Sequence, residues 1–295
     1  MSQVWLITGS SRGLGRSLAE AVLAAGHKLV ATARKPEQLQ DLVQKYGEQV
    51  RAVALDVTDT AATRQAVQAA VDGFGRLDVV VNNAGYGNIA SIEHVTDEDF
   101  REQMETNFFG AVNVTKAAVP ALRGQRSGHI IQISSIGGRL GAAGLSAYQS
   151  AKWALEGFSE VLAKELEPFG IKVSIIEPGG FRTDWAGSSM TVAETQPEYE
   201  ATVGLMNEYR KSRGGKQAGD PAKAAQVILK VAAMSEPPLR LLLGSDAFQL
   251  ATAITAQRAA EDEKWKELTL FTDFADAPDQ QELLAHLVSG SNRRS

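Results

Sequence analysis

Short runs of consecutive apolar residues alternate along this chain with longer stretches in which apolar positions recur every three or four residues. The short runs read as strands: Val4–Ile7, Lys28–Arg34, Val50–Val57, Leu77–Asn82, Gly128–Ser135, Ile171–Glu177 and Leu239–Gly244. Between them the helical period predicts helices over 13–25, 37–46, 59–73, 96–122, 148–167 and 220–234, the last opened by Asp220-Pro221. A strand that is apolar along its whole length is buried on both faces, and the intervening amphipathic helices bury it. The pattern therefore predicts an α/β domain over residues 1–245, a parallel sheet of seven strands with helices on both sides.

Two segments break the alternation. Residues 184–219 are polar and interrupted by Gly187-Ser188-Ser189 and Arg213-Gly214-Gly215; they follow a strand end and are expected to form an irregular active-site lid. Residues 246–295 read as a helical extension packed on the same domain, with Trp265, Phe271 and Phe274 available for that packing. No internal repeat or low-complexity linker divides the chain. Two helices carry an apolar surplus: Phe108, Phe109, Val112 and Val114 in one, Trp153, Leu155, Phe158, Val161 and Leu162 in the other. One stripe satisfies a sheet, so the surplus needs another partner.

The first run is followed at once by Thr8-Gly9-Ser10-Ser11-Arg12-Gly13-Leu14-Gly15, and then by helical spacing at Leu14, Leu18 and Val22. Glycines there permit a tight turn and close approach to a pyrophosphate, and the helix N-terminus offers free N–H groups and positive dipole to the phosphates. The spacing is Gly-x-x-x-Gly-x-Gly rather than the commoner GxGxxG. The fifth run delivers Ser135 to its C-terminal tip, while neighbouring Ser134 faces the other way. Tyr148 and Lys152 lie one helical turn apart on a common face. An ammonium beside a phenol lowers the phenol's pKa, making it a proton donor and acceptor near neutrality.

Composition narrows the partners. With 295 residues and 44% hydrophobic content the chain can bury a large core. A net charge of −5 and a pI near 5.5 leave no electrostatic footprint for nucleic acid or anionic membrane. Cysteine is absent, which excludes disulfides and thiolate metal sites. His27, His94, His129 and His286 have no partners at ligand spacing, so they read as surface or packing residues and no metal is expected. The first strand begins by Val4 and no apolar run approaches a membrane span, so a soluble cytoplasmic protein is expected.

These motifs, with Asp56-Val57 after the third strand, Asn82-Asn83-Ala84-Gly85 after the fourth and Pro178-Gly179 after the sixth, stand in one family's order. Across roughly residues 3–245 the chain resembles the short-chain dehydrogenase/reductase family. Asn-Asn-Ala-Gly-Tyr-Gly and Lys-Trp-Ala-Leu-Glu-Gly-Phe lean toward its carbonyl reductase and 17β-hydroxysteroid dehydrogenase-like members. The resemblance implies a single Rossmann-type, doubly wound sheet and a homodimer or homotetramer paired through the two apolar helices. It also implies an NADP-dependent ketoreductase or alcohol dehydrogenase with Asn107, Ser135, Tyr148 and Lys152 as catalytic set.

In that mechanism Tyr148 is the general acid or base, Ser135 holds the substrate oxygen, and Lys152 tunes Tyr148 and binds the nicotinamide ribose. Asn107 supports a water leading from Lys152 to solvent. Gly9, Ser11, Arg12, Gly13, Leu14 and Gly15 would form the cofactor turn. Asp56 and Val57 would bracket the adenine, and Asn83, Ala84 and Gly85 would line the adenosine ribose. Pro178, Gly179 and Thr183 would meet the carboxamide. Ala33 followed by Arg34 stands where NAD-selective relatives carry an acid, and Arg12 stands in the glycine turn where NADP-using relatives carry a cation, so NADPH is expected over NADH. Tyr86, Ile136, Leu145, Phe181, Trp185 and Met206 would form a mostly apolar pocket for a hydrophobic ketone or secondary alcohol, and Arg139 reads as an exposed loop arginine. The competing reading is a non-catalytic NADP-binding sensor or scaffold, disfavoured because no catalytic position is missing.

Overall fold

The computed structural model describes residues 2–183 and 190–277. In chain order the elements are β1 (Val4–Ile7), α1 (Gly13–Ala24), β2 (Lys28–Ala33), α2 (Gln40–Tyr46), β3 (Val50–Ala54), α3 (Thr60–Phe74), β4 (Val79–Asn82), α4 (Asp97–Met104) and α5 (Gly110–Gln125). There follow β5 (Gly128–Ile133), α6 (Ser146–Leu166), β6 (Ile171–Pro178), α7 (Leu205–Ser212), α8 (Pro221–Ala233), β7 (Arg240–Leu243), α9 (Ser245–Lys264) and α10 (Lys266–Leu270).

Residue parity within each apolar run sorts its side chains between two cores. Trp5 and Ile7 pack with Leu18 and Val22 of α1 and Ile228 of α8 on one face. Val4 and Leu6 pack with Val114 and Leu122 of α5 and Leu162 and Leu166 of α6 on the other. Among the described residues the sheet has seven strands in the order β3-β2-β1-β4-β5-β6-β7, with every neighbouring pair parallel. Strand order reverses at β1, where Trp5 pairs with both Leu29 and Val79. A crevice therefore opens beyond the C-terminal ends of β1 and β4, the place where such sheets bind ligands.

The expected elements are all present, with instructive boundaries. The helix predicted over 96–122 is α4 and α5 joined by a π-turn, Glu105–Phe109. Gly110 ends that turn against Val57, where a Cβ would collide with the valine methyl. The segment expected to form an irregular lid differs: Pro197–Tyr199 forms a 3₁₀ turn, Glu200–Gly204 a π-turn, and α7 follows. Val203 anchors this segment by burying itself against Ile89, Leu145 and Tyr148, an apolar contact that the local polarity conceals. Residues 184–189 lie outside the described residues. The apolar surplus is partly absorbed within the domain. Val114, Leu155 and Leu162 are buried and Phe108 meets Phe158 edge-on at 6.1 Å, whereas Phe109, Trp153 and Val161 stay exposed.

The chain forms two compact units, Met1–Phe248 and Gln249–Ser295. In the second, Lys264 Nζ lies 4.9 Å from the Trp265 ring centroid, and Phe271 and Phe274 are 87% and 85% exposed. No described helix is long and apolar enough to cross a membrane.

Buried in β5, His129 makes a hydrogen bond with Ser174 Oγ at 3.0 Å. Burial, helped by the charge of Lys172, pushes its pKa from 6.5 down to about 4. Between those values the unfolded chain binds a proton that the folded chain refuses. The stabilisation is full above the unfolded pKa and is lost as pH falls toward the folded one. Urea unfolding should report a loss of about 2 kcal/mol from this residue between pH 7 and pH 5. His129→Gln should flatten that part of the slope; an unaltered slope would contradict the assignment.

Candidate active site

The glycine turn is built by conformation and by crowding. Gly9 and Gly13 have φ of +67° and +58°, a region costly for residues with a Cβ. Gly15 lies within α1, and a Cβ there would collide with Asn83 Nδ2 and Gly9 O. Asn83 Nδ2 donates to Thr8 O at 2.8 Å and Gly9 O at 3.1 Å. Thr8 Oγ1 in turn accepts from the backbone N–H groups of Asn83 and Ala84, both at 2.9 Å. The ends of β1 and β4 are thus laced together under the crevice. Thr8 is a residue to which sequence reasoning assigned no role, and the Asn83 amide is committed to the turn.

The catalytic candidates converge from three elements. Asn107 is buried in the π-turn; its Oδ1 accepts from Tyr86 N at 3.0 Å, and its Nδ2 donates to Tyr86 O at 2.8 Å and Gln103 O at 2.9 Å. Gly85 must be small because a Cβ would strike Asn107 Oδ1. Ser135, just past β5, accepts from Gly137 N at 3.0 Å and hydrogen-bonds the Tyr148 hydroxyl. Lys152 Nζ donates to Ile133 O at 2.8 Å and lies 5.7 Å from the Tyr148 ring centroid.

The electrostatics correct one expectation. Burial raises Tyr148 to about 12, opposed by the hydrogen bond from Ser135, rather than Lys152 lowering it toward neutrality. Burial also lowers Lys152 to about 8. An ammonium satisfied by one carbonyl, with no carboxylate to offset its lost hydration, surrenders its proton more easily.

One cleft of about 1610 Å³ gathers these groups. Gly9, Ser11, Arg12, Gly13, Leu14, Gly15 and Arg34 line it beside β1 and β2, and Asp56 and Val57 beside β3. Asp56 accepts from Thr58 N at 3.0 Å, closing the turn after that strand. Asn83, Ala84, Gly85, Tyr86, Asn107, Ser135, Tyr148 and Lys152 line its middle, with Pro178 at the end of β6 and Gly179, Phe181 and Thr183 past it. Asp246 holds this last stretch, accepting from Gly180 N at 2.7 Å.

Three pocket residues fall elsewhere. Leu145 is buried with Ile89 and Val203 in the cluster that also holds Tyr148, and Ile136 sits half-buried in the 3₁₀ turn behind Ser135. Met206 is half-buried on α7, whose turn presents Asn207, Tyr209 and Arg210 to the cleft instead. A segment that reads as irregular offers no helical face from which to choose among them. Trp185 lies outside the described residues. Arg139 also differs from its reading. It pairs with buried Glu177 at 2.7 Å, and Arg240 joins Glu177 at 2.9 Å and Glu160 at 2.7 Å while also pairing with Glu156. Among the described residues no cluster of potential ligands could hold a metal ion.

Thr8→Val keeps the shape and removes the acceptor of two backbone N–H groups. An unpaired buried donor costs about 1–3 kcal/mol, so thermal unfolding should register a loss of roughly 2–4 kcal/mol, with Thr8→Ser close to wild type. Wild-type stability in the valine variant would mean that the lacing carries no load.

Known proteins resemble this chain along most of its length. Residues 3–193 match the short chain dehydrogenase family. Oxidoreductase BOA17 of Botryotinia fuckeliana is 55% identical over 271 residues, 92% of this chain and 99% of its own. The crystal structure of a short-chain dehydrogenase from Streptomyces avermitilis superposes with a TM-score of 0.87 at 41% identity, covering 93% of this chain and 100% of that one. A metagenomic short-chain oxidoreductase solved with NADP superposes at 0.66 and 25% identity, covering 82% and 97%. Motif order, sheet order and these likenesses agree, and the chain belongs to the short-chain dehydrogenase family as an oxidoreductase.

Proposed function

We propose that this oxidoreductase interconverts a ketone and a secondary alcohol with NADPH as hydride carrier and Tyr148 as proton carrier. The observation that carries the reading is the Ser135–Tyr148 hydrogen bond, formed inside the cleft into which the glycine turn opens. The cradle fits a dinucleotide: Gly9 and Gly13 open the turn at its two ends, and the first turn of α1 offers its N–H groups to the same space. Gly9, Gly13 and the start of α1 would hold the pyrophosphate, and Lys152 the nicotinamide ribose. A bound nicotinamide supplies or removes the hydride.

The chain's own groups manage the oxygen and the proton. In the reducing direction Tyr148 gives its hydroxyl proton to the carbonyl oxygen, and a phenol held near 12 remains protonated until that step. Ser135 donates to the same oxygen as charge develops on it. Lys152, buried one turn along α6, supplies positive charge as the phenolate forms. Asn107, fixed at both ends of its amide, holds the backbone at Tyr86 beside this group. The intact set stands against the sensor reading.

Tyr148→Phe should lower kcat by roughly 10²–10⁴-fold while the fold and NADPH affinity persist. Stopped assays by cofactor absorbance check this, and a folded variant with near-normal turnover would sink the mechanism.

For the cofactor's 2′-phosphate, Arg34 and Lys35 are exposed at the end of β2 and Arg12 precedes α1, with Ala33 where an acid would repel the phosphate. The NADP-bound metagenomic relative is in keeping with this. Combining Ala33→Asp with Arg34→Ala should move the ratio of kcat/KM toward NADH by roughly tenfold or more, the worth of one charge-assisted hydrogen bond. An unchanged ratio would refute the NADPH preference.

A further inference from the structure

Among the described residues the arginines withdrawn from water are neutralised by carboxylates, with one exception. Arg139 and Arg240 face buried Glu177, and Arg240 also meets Glu156. Arg16 pairs with Glu20 and Asp41. Arg210 on α7 is half-buried, yet its acceptors are neutral: Asn207 Oδ1 and Ala143 O, both at 3.3 Å. Among the described residues no carboxylate pairs with it, and loss of hydration lowers its pKa with nothing opposing. A guanidinium carries five N–H donors, so two neutral contacts leave most of its capacity unused. Leaving a partly desolvated cation without a counter-ion is costly unless a ligand provides one.

Position says which ligand. Arg210 lines the cleft that holds Tyr148, and its Ala143 anchor packs on the apolar cluster of Ile89, Leu145, Tyr148 and Val203. It belongs to the proton-transfer end, whereas Arg12 and Arg34 line the cleft beside β1 and β2. Exposed Lys211 and Arg213 extend the positive edge. We propose that Arg210 binds a carboxylate of the substrate, so that the enzyme's substrate class is an oxo acid or hydroxy acid with an apolar body. This rests on the reductase reading above. It departs from the neutral hydrophobic ketone expected from the sequence.

The test compares levulinate and para-acetylbenzoate with their methyl esters, at saturating NADPH, in wild type, Arg210→Met and Arg210→Lys. Wild type should favour the acids. Arg210→Met should reduce the acid-to-ester ratio of kcat/KM by roughly 10- to 100-fold, mainly through KM, with Arg210→Lys intermediate. The ratio within each variant cancels any general loss of folding or turnover. NADPH affinity should stay unchanged; a loss there instead would assign Arg210 to the cofactor's phosphates and overturn the proposal. Equal loss for acid and ester would overturn it too. If wild type reduces neither ketone, the reductase reading is what fails. Calorimetric binding of para-acetylbenzoate to the NADP complex then decides the anion site, expected in wild type and at least tenfold weaker in Arg210→Met. Equal binding, or none in either protein, overturns the proposal.

Discussion

The seam between β1 and β4 is the constraint on which the rest of the site depends. Strand order reverses there, so no crossing helix covers the sheet edge, and the backbone ends would be left to water. One hydroxyl and one amide close it: Thr8 Oγ1 takes two N–H groups from the β4 side, and Asn83 Nδ2 returns two bonds to the β1 side. Gly15 then has to be glycine because Asn83 occupies the space a side chain would need. The open end of the sheet is therefore rigid where a ligand's phosphates would approach, and the turn is shaped from both strands.

A second constraint runs along α6. Tyr148, Lys152 and Glu156 stand four residues apart on its buried face, and each meets a partner from outside the helix. Ser135 serves the phenol, the Ile133 carbonyl serves the ammonium, and Arg240 from β7 serves the carboxylate. Arg240 pairs with both Glu156 and Glu177, and Arg139 adds a second cation to Glu177, so the cluster ties α6 and β7 to β6 and the turn after β5. Gly138 lies against Glu156 and Ser134, and this contact positions the turn that carries Ser135. The buried face of α6 that carries Tyr148 and Lys152 thus continues, one turn along the helix, into a charge cluster.

The periodicity of apolar residues was enough to read the seven strands, the helices and the parallel sheet, because a two-sided core imposes near-continuous apolar strands. Motif order was enough to bring the glycine turn, Asn107, Ser135, Tyr148 and Lys152 into one group, since strand ends, the start of α6 and the turn before α5 are directed by the topology to one crevice. Tertiary structure alone decided the rest. Arg139 became a buried ion-pair member because Glu177, 38 residues away, faces it. Tyr148 is raised rather than lowered because burial outweighs its hydrogen bond with Ser135. Residues 190–219 acquired α7, and the cleft with it Arg210 and Asn207 in place of Met206, because Val203 found an apolar partner in Ile89, far away in sequence. Local pattern reports which face of an element is apolar; only packing between distant segments determines which polar groups lose their water, and against whom.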